Sequence, residues 1–265
     1  MINPETKRIA VIGAGVAGIV AAYLLSREHD VTLYEKSDYI GGHTHTVSIP
    51  DGLGGKIPVD TGFIVLNDRT YPLFNRFLSL LHVRIEKTDM SFSYTDLGAG
   101  IQYASQSFRS IFAQRKNLFS PSFWRLLAGI LRFNQVTREK LRDGALADVT
   151  LGDHLEREGF SAEVAKDNNP VTLTYDMTRL QKLATGDRVC VTLNPWKHVS
   201  HTLQIREMLY DHPMYSFEAL QSQKELPSLN AKQNTYYCGS YFGHGFHEDA
   251  VRSAVEVGKL FGIEL

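Results

Sequence analysis

The chain has 265 residues, 43% hydrophobic and 22% charged, enough to bury one large core or two interleaved ones, and this composition excludes a largely disordered protein. A formal net charge of −1 gives no sign of a nucleic-acid partner. The two cysteines, Cys190 and Cys238, fit neither a CxxC redox pair nor a zinc site, and read as buried thiols of a cytoplasmic protein.

The first element is an apolar run, Ile9 to Ile12, that meets Gly13-Ala14-Gly15-Val16-Ala17-Gly18 and then a helical pattern. A second run, Val31 to Tyr34, is closed by Glu35, so residues 7 to 35 read β-α-β. This order is that of a dinucleotide cradle. The strand ends at Gly13, the missing side chain at Gly15 lets backbone approach a pyrophosphate, and Gly18 lets the helix pack closely on the sheet. Glu35, where the second strand ends, can accept hydrogen bonds from an adenosine ribose. The run from Ile9 to Leu25 lacks a strongly basic leader and a small-residue cleavage site, so it reads as part of the fold and not as a signal peptide. Nothing else approaches a membrane span.

Residues 41 to 70 read as a glycine-rich loop and short strands. Tyr71 to Leu81 carries Leu73, Phe74, Phe77, Leu78 and Leu81 at helical spacing. Phe92 to Tyr103 alternates around Gly98-Ala99-Gly100, as a hairpin does. Ser105 to Arg157 is helical with breaks near Ser120-Pro121 and Asp143-Gly144, Pro121 suiting a first turn capped by Ser120. Its basic amphipathic stretch, Phe108 to Phe133, can rest on an anionic membrane, but a helical cap whose arginines snorkel from an apolar face is the preferred reading. Tyr236 to Val251 reads as a strand, a glycine loop and a helix start, and Asp249 to Phe261 as the last helix, ended by Gly262.

The acid and spacer Glu35-Lys36-Ser37-Asp38-Tyr39-Ile40, followed by Gly41-Gly42-His43-Thr44, resemble the opening of the flavin-containing amine oxidoreductases, in which the double glycine passes close to the FAD phosphates. This resemblance favours FAD over NAD as cofactor. The carboxy-terminal stretch Cys238-Gly239-Ser240, Gly243-His244-Gly245-Phe246 and His247-Glu248-Asp249-Ala250 looks like that superfamily's second flavin motif, where backbone N–H groups at a helix N-terminus face the ring. By the same resemblance the cofactor contacts fall on Gly13, Ala14, Gly15, Ala17 and Gly18, on Glu35 and Lys36, and on Gly41, Gly42, His43 and Thr44. At the far end they fall on Gly239, His247, Glu248, Asp249 and Ala250.

Tyr175-Asp176-Met177-Thr178-Arg179, Val191-Thr192-Leu193-Asn194-Pro195 and Asp211-His212-Pro213 narrow the likeness to a bacterial NAD/FAD-binding, amine-oxidoreductase-like flavoprotein family. The fold implied is α/β: a Rossmann-like FAD-binding domain from residues 1–70 and 230–265, and a helical cap with a remnant α+β substrate domain from 71–229. Members are longer, the missing part falling between about Phe160 and Pro170, where the family has the substrate-domain core and an apolar strand beside the first one. The final strand, around Tyr237 to Ser240, is then expected to pair directly with Ile9 to Ile12, drawing the Gly243 to Asp249 loop toward the glycine turn and narrowing the space for FAD.

The activity implied is hydride transfer from an amine or lipid-like small molecule to flavin. No catalytic residue follows, because the family's flavin-facing lysine has no counterpart here and His43 stands where many amine oxidases have arginine. Tyr175, Tyr241 and Phe242 can line a flavin pocket but read more simply as core. His244-x-x-His247-Glu248-Asp249 is not a metal motif, since its acids follow the second histidine. Two rivals stay open: a shortened nucleotide-binding or assembly module without turnover, and an NAD-binding Rossmann protein.

Overall fold

A computed structural model describes residues 6–52, 54–90, 93–96, 100–104, 107–146, 149–160, 173–195 and 200–265. The chain forms two units, Met1–Lys87 with Ile205–Leu265, and Thr88–Gln204. The first unit is therefore wider than the 1–70 and 230–265 expected from sequence. In chain order it begins β1 (Arg8–Ile12), α1 (Val16–Leu25), β2 (Asp30–Tyr34), β3 (Thr46–Pro50), β4 (Lys56–Asp60) and α2 (Pro72–Leu80). The second unit holds β5 (Ser93–Asp96), β6 (Ile101–Ala104), α3 (Phe108–Ile111), a 3-10 turn (Arg115–Phe119), α4 (Pro121–Arg142), α5 (Leu151–Arg157), β7 (Leu173–Asp176), α6 (Met177–Leu180) and β8 (Cys190–Leu193). The first unit then resumes with α7 (Phe217–Ser222) and α8 (His247–Leu260).

β1 and β2 pair in parallel, Arg8 opposite Asp30 and Ile12 opposite Tyr34, with α1 as the crossover between them. Alternation gives the strands two faces. Ile9 and Val31 pack toward the core, while Ile12 is 79% and Tyr34 54% exposed on the other side. α1 is apolar nearly all round and is correspondingly buried. Its Val20, Ala21 and Leu24 meet Val251, Ala254 and Val255 of α8, with Phe74 and Phe77 of α2 and Ile263 and Leu265 closing the cluster. Each fully buried Val or Leu side chain contributes about 1.5–3 kcal/mol. β3 and β4 form an antiparallel hairpin, Thr46 opposite Asp60.

In the second unit, β5–β6 and β7–β8 are antiparallel pairs. α4 starts as its sequence indicates, with Pro121 in the first turn and Ser120 Oγ accepting the Phe123 amide at 3.3 Å. Phe123, fully buried, meets Phe112 and Tyr103 edge-on. Cys190, expected to be buried, is exposed at the start of β8, where the short hairpin leaves its outer face bare.

The final strand is absent. Tyr236 to Gly239 joins no sheet, because its backbone donors are committed to side chains: the Tyr237 amide to Asn230 Oδ1 at 2.7 Å, and the Gly239 amide to Ser253 Oγ at 2.8 Å. The expected direct pairing with β1 therefore does not occur, and β1 pairs only with β2 among the described residues. Tyr241 and Phe242 lie in a 3-10 turn, Ser240–Phe242, and neither is buried core; Tyr175 is half-buried in β7 of the second unit. The expected break between Phe160 and Pro170 falls at residues 161–172, outside those described.

Candidate dinucleotide site

The turn after β1 is built from backbone. Gly13, at φ +95°, donates to Tyr34 O at 2.7 Å and so extends the β1–β2 pairing by one bond. At Gly18 a Cβ would lie 1.8 Å from Gly13 O, so α1 can cross this close to the strand only with glycine there. The Gly41 amide donates to Ala14 O at 2.7 Å and Gly41 bridges Gly15 in parallel, carrying the double-glycine loop alongside the turn. A Cβ on Gly42 would sit 3.2 Å from Gly15 Cα. Thr44 holds the loop, its amide and hydroxyl donating to Gly41 O at 3.0 and 2.5 Å.

Above this frame the space is open. Among the described residues, no atom beyond the chain neighbours lies within 4 Å of a Cβ built on Gly13 or Gly15, in contrast to Gly18. α1 begins at Val16, next to Ala17, with no side-chain cap and no acidic residue in its first turn, so its leading amides and positive dipole end are available to an anion.

Glu35 closes the frame. Its Oε2 accepts the Ala14 amide at 2.6 Å and its Oε1 the Ser37 amide at 2.8 Å. The Ser37 and Ala14 amides hold its carboxyl below the usual range. Two N–H bonds leave a carboxylate with lone pairs to accept ribose hydroxyls. Lys36 is exposed beside it.

A histidine and aromatic cluster lies on the far side of the double glycine, within the same unit. His43 O accepts the Phe63 amide at 2.7 Å, while the His43 ring meets His212 edge-on at 4.8 Å and Tyr210 at 5.0 Å. Its Nε2 is buried with no hydrogen-bond partner among the described residues. Burial, then the neighbouring His212, pushes its pKa below the ordinary histidine value. The Tyr210 hydroxyl lies 2.9 Å from both His45 Nδ1 and Thr61 Oγ1, and Tyr39 stacks on His45 at 3.9 Å. Burial, then Arg206, lowers His45 likewise. Tyr210 was not singled out from sequence, since its role depends on residues 149 and 165 positions away; the nearby Asp211-His212-Pro213 was the one signal.

The carboxy-terminal residues expected at the cofactor make bonds within the fold. Glu248, buried, accepts the amides of Leu73 and Phe74 at 3.1 and 3.0 Å and so caps α2 from α8. Asp249, also buried, accepts those of His244 and Phe246 at 3.0 and 3.1 Å and pairs with Arg252 at 2.8 Å. Ala250 is core. His247 packs on Phe63 at 4.1 Å, and burial, then His43, brings its pKa down to about 4. Gly239 exchanges hydrogen bonds with Ser253. Burial raises the Cys238 thiol to about 11, which leaves it unreactive at neutral pH. Among the described residues no cluster of three His, Cys, Asp or Glu side chains has the arrangement of a metal site. A surface hollow of about 320 Å³ on the second unit is lined by Leu131, Asn134, Gln135, Arg138, Glu139 and Arg142, all on α4, so its polar side chains come from one helix with no second element facing them.

Fold and site together define a Rossmann-like dinucleotide-binding segment. The family described as "NAD(P)-binding Rossmann-like domain" matches residues 11–81. The chain is similar to the flavin-dependent L-tryptophan oxidase RebO of Lentzea aerocolonigenes, 49% identical over 53 residues, 20% of this chain and 11% of that protein. It is also similar to the L-amino-acid oxidase of Pseudechis australis, 51% identical over 45 residues, 17% of this chain and 8% of that one. Among solved structures, the CLA-producing fatty acid isomerase from P. acnes covers 51% of this chain and 28% of its own, at 20% identity and a TM-score of 0.34. The matches thus span about a tenth of the curated relatives' length, and the relation to flavin-dependent oxidases runs through the dinucleotide-binding segment alone. No helix among the described residues is long and apolar enough to cross a membrane.

Proposed function

We propose that the chain binds FAD and belongs to an FAD-dependent oxidoreductase of the amine-oxidoreductase-like class, acting on an amine or lipid-like small molecule. The observation that carries this reading is the open space over Gly13 and Gly15 at the uncapped start of α1, framed by Glu35 and Gly42. The residues present fit the adenosine and pyrophosphate half of the cofactor: α1 amides and the Gly41-Gly42 loop toward phosphate, Glu35 toward ribose. FAD over NAD rests on the double glycine and on flavin-dependent relatives. Bound FAD would supply the hydride acceptor, while this chain's residues hold and orient it.

A second reading, a nucleotide-holding module without turnover, is favoured by one observation: the amides of His244 and Phe246 are already taken by Asp249, not free for a flavin ring. Purification followed by an absorption spectrum is the first test, a flavin band near about 450 nm being expected after reconstitution with FAD. Binding of NAD in preference to FAD would reject the leading reading. Stoichiometric FAD with no reduction by amines or lipids would favour the second.

A further inference from the structure

Between Asp96 and Glu139 the sequence holds no acidic residue and six basic ones, Arg109, Arg115, Lys116, Arg125, Arg132 and Arg138, in a chain of net charge −1. Arg132 and Lys140 are committed within the unit: Arg132 donates to Glu158 O at 2.6 Å and lies over the Phe160 ring at 4.7 Å, and Lys140 pairs with Glu158 at 2.5 Å. The junction of α3, the 3-10 turn and the start of α4 differs. Arg109, Arg115 and Lys116 are exposed there and make no ion pair among the described residues.

The same junction presents rings to solvent. Phe112 is buried and touches Phe108 at 4.8 Å and Trp124 at 5.2 Å, while Trp124 Nε1 donates to Leu118 O at 3.0 Å. These contacts tie the junction into one patch. Outward from it, Phe108 is 70%, Phe119 87% and Trp124 46% exposed. Rings left this bare beside unpaired cations match the chemistry of an interface between water and anionic lipid, where aromatic groups settle at headgroup depth and cations meet phosphates. A ring as exposed as Phe119 can enter a fluid phase with no rearrangement of the protein, whereas a nucleic acid would call for a groove of cations along its backbone.

We propose that residues 108–125 form a docking surface for a membrane carrying anionic lipids, with Phe108, Phe119 and Trp124 entering the headgroup region and Arg109, Arg115 and Lys116 facing the lipid phosphates. The test is co-sedimentation of the full chain with vesicles of phosphatidylcholine alone or with about 30% phosphatidylglycerol, anionic vesicles binding at least about tenfold more tightly. Phe119→Ser and Arg115→Glu/Lys116→Glu should each weaken that binding about tenfold, with far-ultraviolet circular dichroism unchanged. In a Trp196→Phe variant, which leaves Trp124 as the single tryptophan, emission should shift to the blue on anionic vesicles alone. Absence of vesicle binding, binding indifferent to both variants, or binding to a single-stranded RNA in place of vesicles with the same Arg115 and Lys116 dependence would overturn the proposal.

Discussion

Glu35 Oε2 takes the amide hydrogen of Ala14 at 2.6 Å, so the acid that ends β2 fastens the turn that ends β1. The residue that sequence reasoning reserves for a ribose also supports the frame. A substitution at Glu35 therefore acts on the frame and on the ligand together, and the two effects need separate measurements.

The two glycines of the turn should part company. Gly15→Val places methyl groups in open space, costs no more than about 1 kcal/mol in thermal unfolding of the apo chain, and abolishes FAD binding. Gly18→Ala drives a methyl into Gly13 O and should cost upward of about 3 kcal/mol, the top of the overpacking range. Retained FAD in folded Gly15→Val would remove the cradle from the proposal.

Acid should loosen the turn through Glu35. Backbone amides of Ser37 and Ala14 lower its folded pKa from 4.5, so its contribution is complete above that value and disappears as pH falls through the lower folded one. Urea midpoints of wild type and Glu35→Gln should differ at pH 7 and converge once pH has fallen from 4.5 through the lowered folded value. Parallel curves throughout would show that the two hydrogen bonds do not stabilise the ionised form.

His247 gives a slope in an adjacent window. Its folded pKa is about 4 against an ordinary 6.5, so between these values the unfolded chain binds a proton that the folded chain refuses. Stability should fall as pH drops through this range, by up to about 3 kcal/mol for this one group. His247→Phe should flatten that part of the curve, and a His247 ring signal that titrates near 6.5 by NMR would refute the assignment.

Glu248→Ala should destabilise the apo chain by about 3 kcal/mol, because two amides of α2, that of Phe74 buried and that of Leu73 partly so, lose a charged acceptor. Glu248→Gln, which keeps one acceptor oxygen, should lose less. If instead apo stability were unchanged and FAD affinity fell, the residue would be a cofactor contact and not a cap.

The β-α-β start, the Tyr71 helix, the pairing of β5 with β6 and the Ser120 cap were legible because neighbours in sequence decide them: apolar runs, glycines, and a serine before proline. Phe92 and most of the turn read at Gly98-Ala99-Gly100 lie outside the described residues. Tyr236 to Ser240 begins with the adjacent aromatic residues that strands favour and forms no strand, since Asn230 and Ser253 claim the Tyr237 and Gly239 amides; no local pattern reveals that. Glu248 and Asp249, read from sequence as flavin contacts, also accept backbone amides within the chain, and a helix start rich in acid and glycine does not reveal those bonds. The partner of Glu248 lies 174 and 175 positions away, beyond the reach of any spacing rule.

α1 and α8 are packed together from opposite ends of the chain, with residues 88–204 between them forming a unit of their own. During synthesis α1, apolar on nearly every side, leaves the ribosome before the second unit, and its covering helix follows more than two hundred residues later. At about 5–20 residues per second, that is an interval on the order of ten seconds or more in which α1 lacks the helix it packs against. Until residues 247–265 have been made, the face of α1 that Val251, Ala254 and Val255 cover stays open to water.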